Sequence, residues 1–158
     1  ITVNQETFSE QSNLTERNKN SFGFFYASIF LFKLLSLIII SQIIRIAIIR
    51  GDFKLFLNEK FAFSLNIPIS IIYFLYLIIF AVIIYYLISH WQKLNSLSKF
   101  GFVFILAGGV SNIFERIVFG RVTDYIFLLN GVLNLADFYI FAGVIVVLLS
   151  SRKNSVKI

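Results

Sequence analysis

Two aspartates in the last quarter of the chain, Asp124 and Asp137, have the residue type and spacing best suited to chemistry. The turn signal Asn130-Gly131 lies between them and can fold one carboxylate toward the other. Two carboxylates held close together do not both ionise readily, so one keeps a proton while the other stays a base. Such a pair activates water in an aspartic protease, where one carboxylate takes a proton from water and the other polarises the scissile amide.

Other polar residues accompany these aspartates between long apolar runs. Asn134 lies three residues before Asp137, on the same face of a helix, and can donate to a carboxylate or to a substrate carbonyl. Asn112 and Arg116, four residues apart, share a face in the same way. A structural alternative remains open at this point, in which Asp124 caps a loop and Asp137 pairs with Arg116.

The composition places these residues in a membrane protein. The 158 residues are 58% hydrophobic and 14% charged, and the mean hydropathy is +0.86. The chain has no Cys and one His, which argues against a cysteine nucleophile and a thiolate or multi-histidine metal site, so we expect no metal and no cofactor. Its net charge of +6 comes from residues that flank the apolar runs, where they meet lipid headgroups, and we expect no nucleic-acid partner.

Four apolar runs are long enough, at about 1.5 Å per residue, to cross a bilayer core of about 30 Å. They are residues 22–49, 69–88, 100–117 and 132–149. The runs predict an all-α membrane protein with four transmembrane helices. We divide the chain into a polar, flexible cytoplasmic tail (1–21), a four-helix transmembrane domain (22–151) and a basic cytoplasmic tail (152–158).

Shorter features locate the connections between these runs. Residues 51–66 and 121–126 alternate partly between apolar and polar residues, which predicts a small extracytoplasmic β-like ribbon. Pro68 is placed to open the second helix. Gln42 and Arg45 share one face of the first helix, and we expect them to face protein rather than lipid.

The basic residues predict the orientation. Seven lie in the terminal segments and the middle connection, against four in the other two connections. Positive residues favour the cytoplasmic side, so both termini should be cytoplasmic and the two aspartates should lie near the outer face.

At this point the order of motifs resembles the lipoprotein signal peptidases, also called signal peptidase II, four-span aspartic peptidases of bacterial cytoplasmic membranes. Residues 108–116 (GGVSNIFER) look like the family's GG-x-x-N-x-x-D-R element, and residues 122–126 (VTDYI) like its V-x-D-[FY]-[IL] element. Residues 134–137 (NLAD) look like its F-N-x-A-D element, and residues 58–64 (NEKFAFS) are similar to its N-x-G-x-A-F-[GS] segment. Several elements in the right order are more specific than any one alone.

The resemblance implies a function and roles for individual residues. It implies that Asp124 and Asp137 are the catalytic dyad and that four further residues position the substrate: Asn58, Asn112, Arg116 and Asn134. The implied reaction is hydrolysis of the peptide bond before the diacylglyceryl-modified cysteine of a prolipoprotein. The implied partners are that lipid-modified substrate and membrane lipid, and we expect a monomer in the bacterial cytoplasmic membrane.

The chain departs from the family pattern at several positions. The family's D-Q-x-x-K near the end of the first span is replaced by Ser41-Gln42-Ile43-Ile44-Arg45, so an acid is lost and Lys becomes Arg. Glu115, Lys60 and Leu133 replace the usual Asp, Gly and Phe. We expect the loss of the acid to affect stability or rate more than the identity of the dyad.

Two other classes of function remain as alternatives. One is an ion- or proton-coupled membrane carrier that uses the intramembrane acids to bind a cation or relay protons. The other is a non-catalytic member of the same family, which the missing acid on the first span would suit.

Overall fold

The computed structural model describes residues 2–59, 67–129 and 131–155, which are mostly helical. The chain divides into two compact units, Ile1–Lys33 and Leu34–Ile158, and the candidate site lies wholly within the second. Within the described residues the helices are α1 (Thr2–Arg50), α2 (Ile69–His90), α3 (Ser96–Phe119) and α4 (Leu135–Ser155). The strands are β1 (Phe56–Asn58), β2 (Val122–Asp124), β3 (Ile126–Leu128) and β4 (Gly131–Leu133).

Among the residues that the structure describes, three helical segments are long and apolar enough to cross a membrane: Gly23–Arg50, Ser70–His90 and Ser96–Phe119. A shorter apolar helix covers Leu135–Ser151. Large hydrophobic side chains of α2 are exposed, among them Phe74, Leu77 and Ile88. Exposed apolar surface on a long apolar helix is typical of contact with lipid.

Helices α3 and α4 approach each other closely because small residues lie at their contact. A Cβ atom added at Gly143 would lie 2.6 Å from the backbone oxygen of Gly101, so neither helix has room for a larger residue there. A Cβ atom added at Gly108 would collide with the backbone oxygen of Ala136, the residue before Asp137. The glycines therefore bring the first turn of α4 against the middle of α3.

Helix α3 has defined caps at both ends. The side chain of Asn95 accepts a hydrogen bond from the Ser98 N–H at 2.7 Å, as an N-cap does. Gly120 ends the helix in the left-handed conformation, with φ 71°, and its N–H donates to the Arg116 carbonyl. The Ser150 hydroxyl donates to the same Asn95 side chain at 2.8 Å and ties α4 to the start of α3.

In the described part of the chain, the connections between the helices form two small antiparallel sheets. Strand β1 pairs with β2, with Phe56 opposite Asp124 and Asn58 opposite Val122. Strands β3 and β4 form a hairpin in which Ile126 is opposite Leu133. The β1–β2 pair joins the connection after α1 to the connection after α3, which places β2 where the site is built.

The structure confirms a mostly helical membrane fold with small sheets, and Pro68 is the N-cap of α2 as predicted. The extended ribbon is confirmed at β1 and β2, whereas residues 60–66 and Asn130 lie outside the described residues. The prediction that a helix begins at residue 132 was wrong: residues 131–133 pair with β3, and α4 begins at Leu135. Residues 2–21 are helical in the backbone, and the tail and domain limits stay predictions.

Candidate active site

Asp124 ends strand β2 and is buried, with 2% of its surface exposed. Both of its carboxylate oxygens accept hydrogen bonds from side-chain amides. Asn58 Nδ2 donates to Oδ2 at 3.0 Å, and Asn134 Nδ2 donates to Oδ1 at 2.8 Å. Strand pairing accounts for the first contact, because Asn58 lies on β1 diagonally across from Asp124.

Asp137 is fixed at the beginning of α4 by a reciprocal cap with Asn134. The Asn134 side-chain oxygen accepts the Asp137 N–H at 3.1 Å, and the Asp137 Oδ2 accepts the Asn134 N–H at 3.1 Å. This arrangement satisfies two helix-terminal donors at once, as in a capping box. The Tyr125 hydroxyl accepts a third, the Leu135 N–H, at 3.1 Å. The cap therefore determines both where α4 starts and where the Asp137 carboxylate lies.

Asn112 of α3 completes a chain of side chains between the two aspartates. Its Nδ2 donates to Asp137 Oδ1 at 2.9 Å, and its Oδ1 accepts from Asn134 Nδ2 at 3.1 Å. Since Asn134 Nδ2 also donates to Asp124, two asparagines link the carboxylates. The amide donors orient an oxygen of each carboxylate toward the same pair of side chains.

Burial changes the acidity of Asp124. It raises the pKa of this carboxyl from 3.8 to about 6, chiefly because the charged form loses solvent. The hydrogen bonds from Asn134 and Asn58 lower the pKa, and the nearby charges of Asp137 and Glu115 raise it. Asp124 is therefore a carboxyl that can hold a proton near neutral pH, which a general acid requires.

Arg116 is buried on α3, one turn beyond Asn112. Its side chain is hydrogen-bonded to the hydroxyl of Tyr76 on α2, and Tyr76 also interacts electrostatically with Asp137. Arg116 of α3 thus places a positive charge near Asp137, and Tyr76 connects α2 to the same part of the site.

A second polar group lies behind β2. Glu115 Oε2 accepts the Thr123 N–H at 2.9 Å and forms an ion pair with Arg45 Nε at 2.9 Å. The Arg45 Nε also donates to the Thr123 hydroxyl at 3.3 Å, and its guanidinium lies 4.1 Å from the centre of the Phe119 ring. These contacts connect α1 and α3 to the backbone of the strand that carries Asp124.

Smaller polar contacts continue between α1 and α3. Gln42 Nε2 donates to the Ser111 hydroxyl at 2.8 Å, and this hydroxyl donates to Ser41 at 3.0 Å. Arg45 and Ser41 are buried. The expectation that Gln42 and Arg45 face protein is therefore confirmed.

Comparison with known proteins decides the family. The sequence profile of the signal peptidase (SPase) II family matches residues 29–153, most of the chain. The chain belongs to the signal peptidase II family. The matched range includes every polar residue described above, from Ser41 to Asp137.

Individual relatives agree. The chain is 35% identical over 85 residues to a lipoprotein signal peptidase of Bartonella tribocorum, covering 48% of this chain and 51% of the relative. It is 36% identical over 97 residues to one of Caldicellulosiruptor bescii, covering 61% and 57%. The chain thus spans about half the length of these curated relatives.

The fold is similar to that of a bacterial membrane enzyme solved by the in meso method at 2.3 Å resolution. The TM-score is 0.71 at 19% identity, over 82% of this chain and 90% of the other. At 19% identity, this similarity shows that the two proteins share a fold and nothing further.

Hydrogen bonds join five of the six residues that the sequence singles out: Asn58, Asn112, Asp124, Asn134 and Asp137. The sixth, Arg116, is buried beside them on α3. Sequence reasoning did not connect Glu115 and Thr123 to the site. Both residues lie within elements that resemble the family's motifs, and the shared face of Gln42 and Arg45 required a polar partner, but neither signal identified the contact.

Proposed function

We propose that the chain is an intramembrane aspartic endopeptidase that removes signal peptides from diacylglyceryl-modified prolipoproteins. The observation that carries this proposal is the asparagine link between the Asp124 and Asp137 carboxylates within a signal peptidase II family chain. Both carboxylates come from segments next to the ends of apolar helices, where a lipid-bearing substrate can reach them.

We assign the acid role to Asp124 and the base role to Asp137. Burial favours the protonated form of Asp124, whereas the N-terminus of α4 presents N–H donors and the positive end of the helix dipole to the Asp137 carboxylate. Asp137 takes a proton from water, whose oxygen attacks the carbonyl carbon before the modified cysteine. Asp124 gives its proton to the carbonyl oxygen, which forms a tetrahedral diol.

Collapse of this diol completes the reaction. The C–N bond breaks as the leaving nitrogen takes the proton from Asp137, and one diol hydroxyl returns a proton to Asp124. Both carboxyls then regain their starting states, so no other reactant is needed. Asn58, Asn112, Arg116 and Asn134 hold the carboxylates and the substrate backbone in register.

The charges at the site support a shared proton. The buried Arg45 and Arg116 carry two positive charges, whereas the buried Glu115 and Asp124 and the half-buried Asp137 carry up to three negative ones. One proton on the dyad makes this group neutral. Neutrality is favoured in surroundings that solvate charge poorly.

The proposed topology has four spans. Helix α4 is 21 residues long, which gives about 31 Å at about 1.5 Å per residue. It would act as the fourth span, with both termini in the cytoplasm and the dyad near the outer face of the bacterial cytoplasmic membrane. Residues 22–151 would form the peptidase domain, acting as a monomer with no metal or cofactor, on the prolipoprotein and its lipid.

The test uses the purified protein reconstituted with a diacylglyceryl-modified prolipoprotein. The parent should cleave it, and Asp124→Asn and Asp137→Asn should each lose roughly 100- to 10,000-fold in kcat. Asp52→Asn is the matched control, because Asp52 is exposed in a turn after α1 and should leave cleavage unchanged. Cleavage by the dyad variants at the parent's rate would contradict the proposal.

Absence of cleavage by a folded parent would favour the non-catalytic alternative. In that case, proton uptake by parent vesicles under an imposed pH gradient would test the carrier alternative. Uptake that the two dyad variants abolish would support a carrier over a peptidase.

A further inference from the structure

We propose that Arg45 and Glu115 are positioning residues for Asp124, holding strand β2 from its outer edge. Glu115 accepts the backbone N–H of Thr123, and Arg45 holds the Glu115 carboxylate in place. The inference rests on the proposed function and adds two residues to the machinery that it requires.

The register of the sheet shows why β2 needs such a contact. In an antiparallel pair, alternate residues point their N–H groups away from the partner strand. Thr123 lies opposite Leu57 of β1, and its N–H points to Glu115 instead. An edge strand with an open N–H lacks one ladder bond, and the Glu115 carboxylate supplies an acceptor where a third strand would supply a carbonyl.

The position of Thr123 makes this contact relevant to chemistry. Thr123 immediately precedes Asp124, and successive side chains of a strand point to opposite faces. Fixing the Thr123 peptide therefore fixes the direction of the Asp124 side chain, which must meet Asn58 and Asn134 at the same time. Strand β2 has only three residues, so its pairing with β1 restrains its position weakly.

Arg45 fixes Glu115 by several contacts. One Nε–H is shared between the Glu115 carboxylate at 2.9 Å and the Thr123 hydroxyl at 3.3 Å. The guanidinium also lies over the Phe119 ring, and Gln42 hydrogen-bonds to Glu115 from the same helix. A buried ion pair is weak evidence for stability, since apolar replacements are often neutral or stabilising. The hydrogen bond from the Thr123 N–H to Glu115 is better explained by a role in placing Asp124.

The test compares three double variants that carry the same charge. Arg45→Met with Glu115→Gln removes the ion pair but keeps an oxygen that reaches the Thr123 N–H. Arg45→Met with Glu115→Asn removes the ion pair and shortens the amide by one methylene, so the acceptor no longer reaches. A third, Arg45→Met with Glu115→Leu, removes the acceptor altogether.

We expect the Gln double variant to lose less kcat than the Asn and Leu double variants, because it keeps an acceptor for the Thr123 N–H but lacks the Arg45 contacts that hold this acceptor in place. The Asn and Leu double variants should lose roughly 100-fold in kcat with KM unchanged, because a displacement of about 1 Å is enough to cost that much. Hydrogen exchange of the Thr123 amide should be faster in the Asn and Leu variants than in the Gln variant. Thermal midpoints identify any variant that fails to fold.

Equal kcat values for the Gln variant and a folded Asn or Leu variant would overturn the inference. If the Asn and Leu variants both unfold, the single variant Arg45→Lys takes their place. A full loss of kcat in Arg45→Lys with unchanged protection of the Thr123 amide would also overturn the inference. Cleavage by the parent separates these outcomes from failure of the proposed function. If the parent cleaves the substrate and the variants have equal kcat values, only the positioning role is contradicted.

Discussion

The Nδ2 atom of Asn134 lies 2.8 Å from Oδ1 of Asp124, while the side-chain oxygen of the same asparagine caps the helix that carries Asp137. One residue therefore fixes both carboxylates. Its backbone N–H and side-chain oxygen serve Asp137, and its side-chain nitrogen serves Asp124. Movement of the α4 N-terminus relative to β2 would separate the two carboxylates, and Asn134 resists that movement.

The two tasks of Asn134 can be separated by mutation. Asn134→Ser keeps an N-cap acceptor but loses the donor to Asp124, whereas Asn134→Ala loses both. We expect Ser to keep the parent's thermal midpoint but to lose kcat, and Ala to lose kcat and about 1 kcal/mol of stability as well. Thermal unfolding and cleavage kinetics would measure the two effects. Full activity in Asn134→Ser would contradict a role for the amide donor.

Asn58 should tune the proton affinity of Asp124. Its N–H bond favours the ionised carboxylate and lowers the pKa of Asp124, so Asn58→Ala should raise that pKa above its present value of about 6. If Asp124 must hold a proton to act, the variant should keep its activity to higher pH than the parent. The measurement is kcat against pH for both proteins. A shift of the alkaline limb to lower pH would contradict the assignment.

The sequence predicted the polar residues of the site better than it predicted their supports. Polar residues at helical spacing, such as Asn112 and Asn134, were expected to need partners, and the resemblance to the family singled them out together with the aspartates. The contact between Glu115 and the Thr123 N–H was not, because a three-residue strand shows no clear periodicity and its edge partner is a side chain from another element.

The start of the last helix shows a second limit of sequence reasoning. Residues 132–133 are as apolar as the helix that follows, so composition extended the helix to include them. Their pairing with β3 is a contact between segments, and it overrides local preference. Asn134 carried the correct signal, since Asn followed three residues later by an acid resembles a capping box.

The stability of the protein should depend on pH through Asp124. Its folded-state pKa of about 6 lies above the ordinary 3.8, so its contribution to stability is fully present below about pH 4 and is lost as pH rises through about 6. We expect Asp124→Asn to remove this part of the loss of stability with rising pH. Thermal midpoints of parent and variant between pH 4 and 8 would show it, with Asp52→Asn as the exposed control. Parallel curves for parent and Asp124→Asn would contradict the raised pKa.

The contact between α3 and α4 should limit activity as well as stability. Gly108→Ala places a methyl group against the Ala136 carbonyl, so α4 must move away from α3 together with Asp137. Overpacking of this kind costs about 1–3 kcal/mol, and the displaced carboxylate should lower kcat as well. Gly23→Ala is the control, because a Cβ atom there meets no atom within 4 Å and Ala favours the helix. Unfolding and cleavage assays on both variants would test this. If Gly108→Ala kept the parent's stability and kcat, the contact between α3 and α4 would not be as tight as the structure indicates.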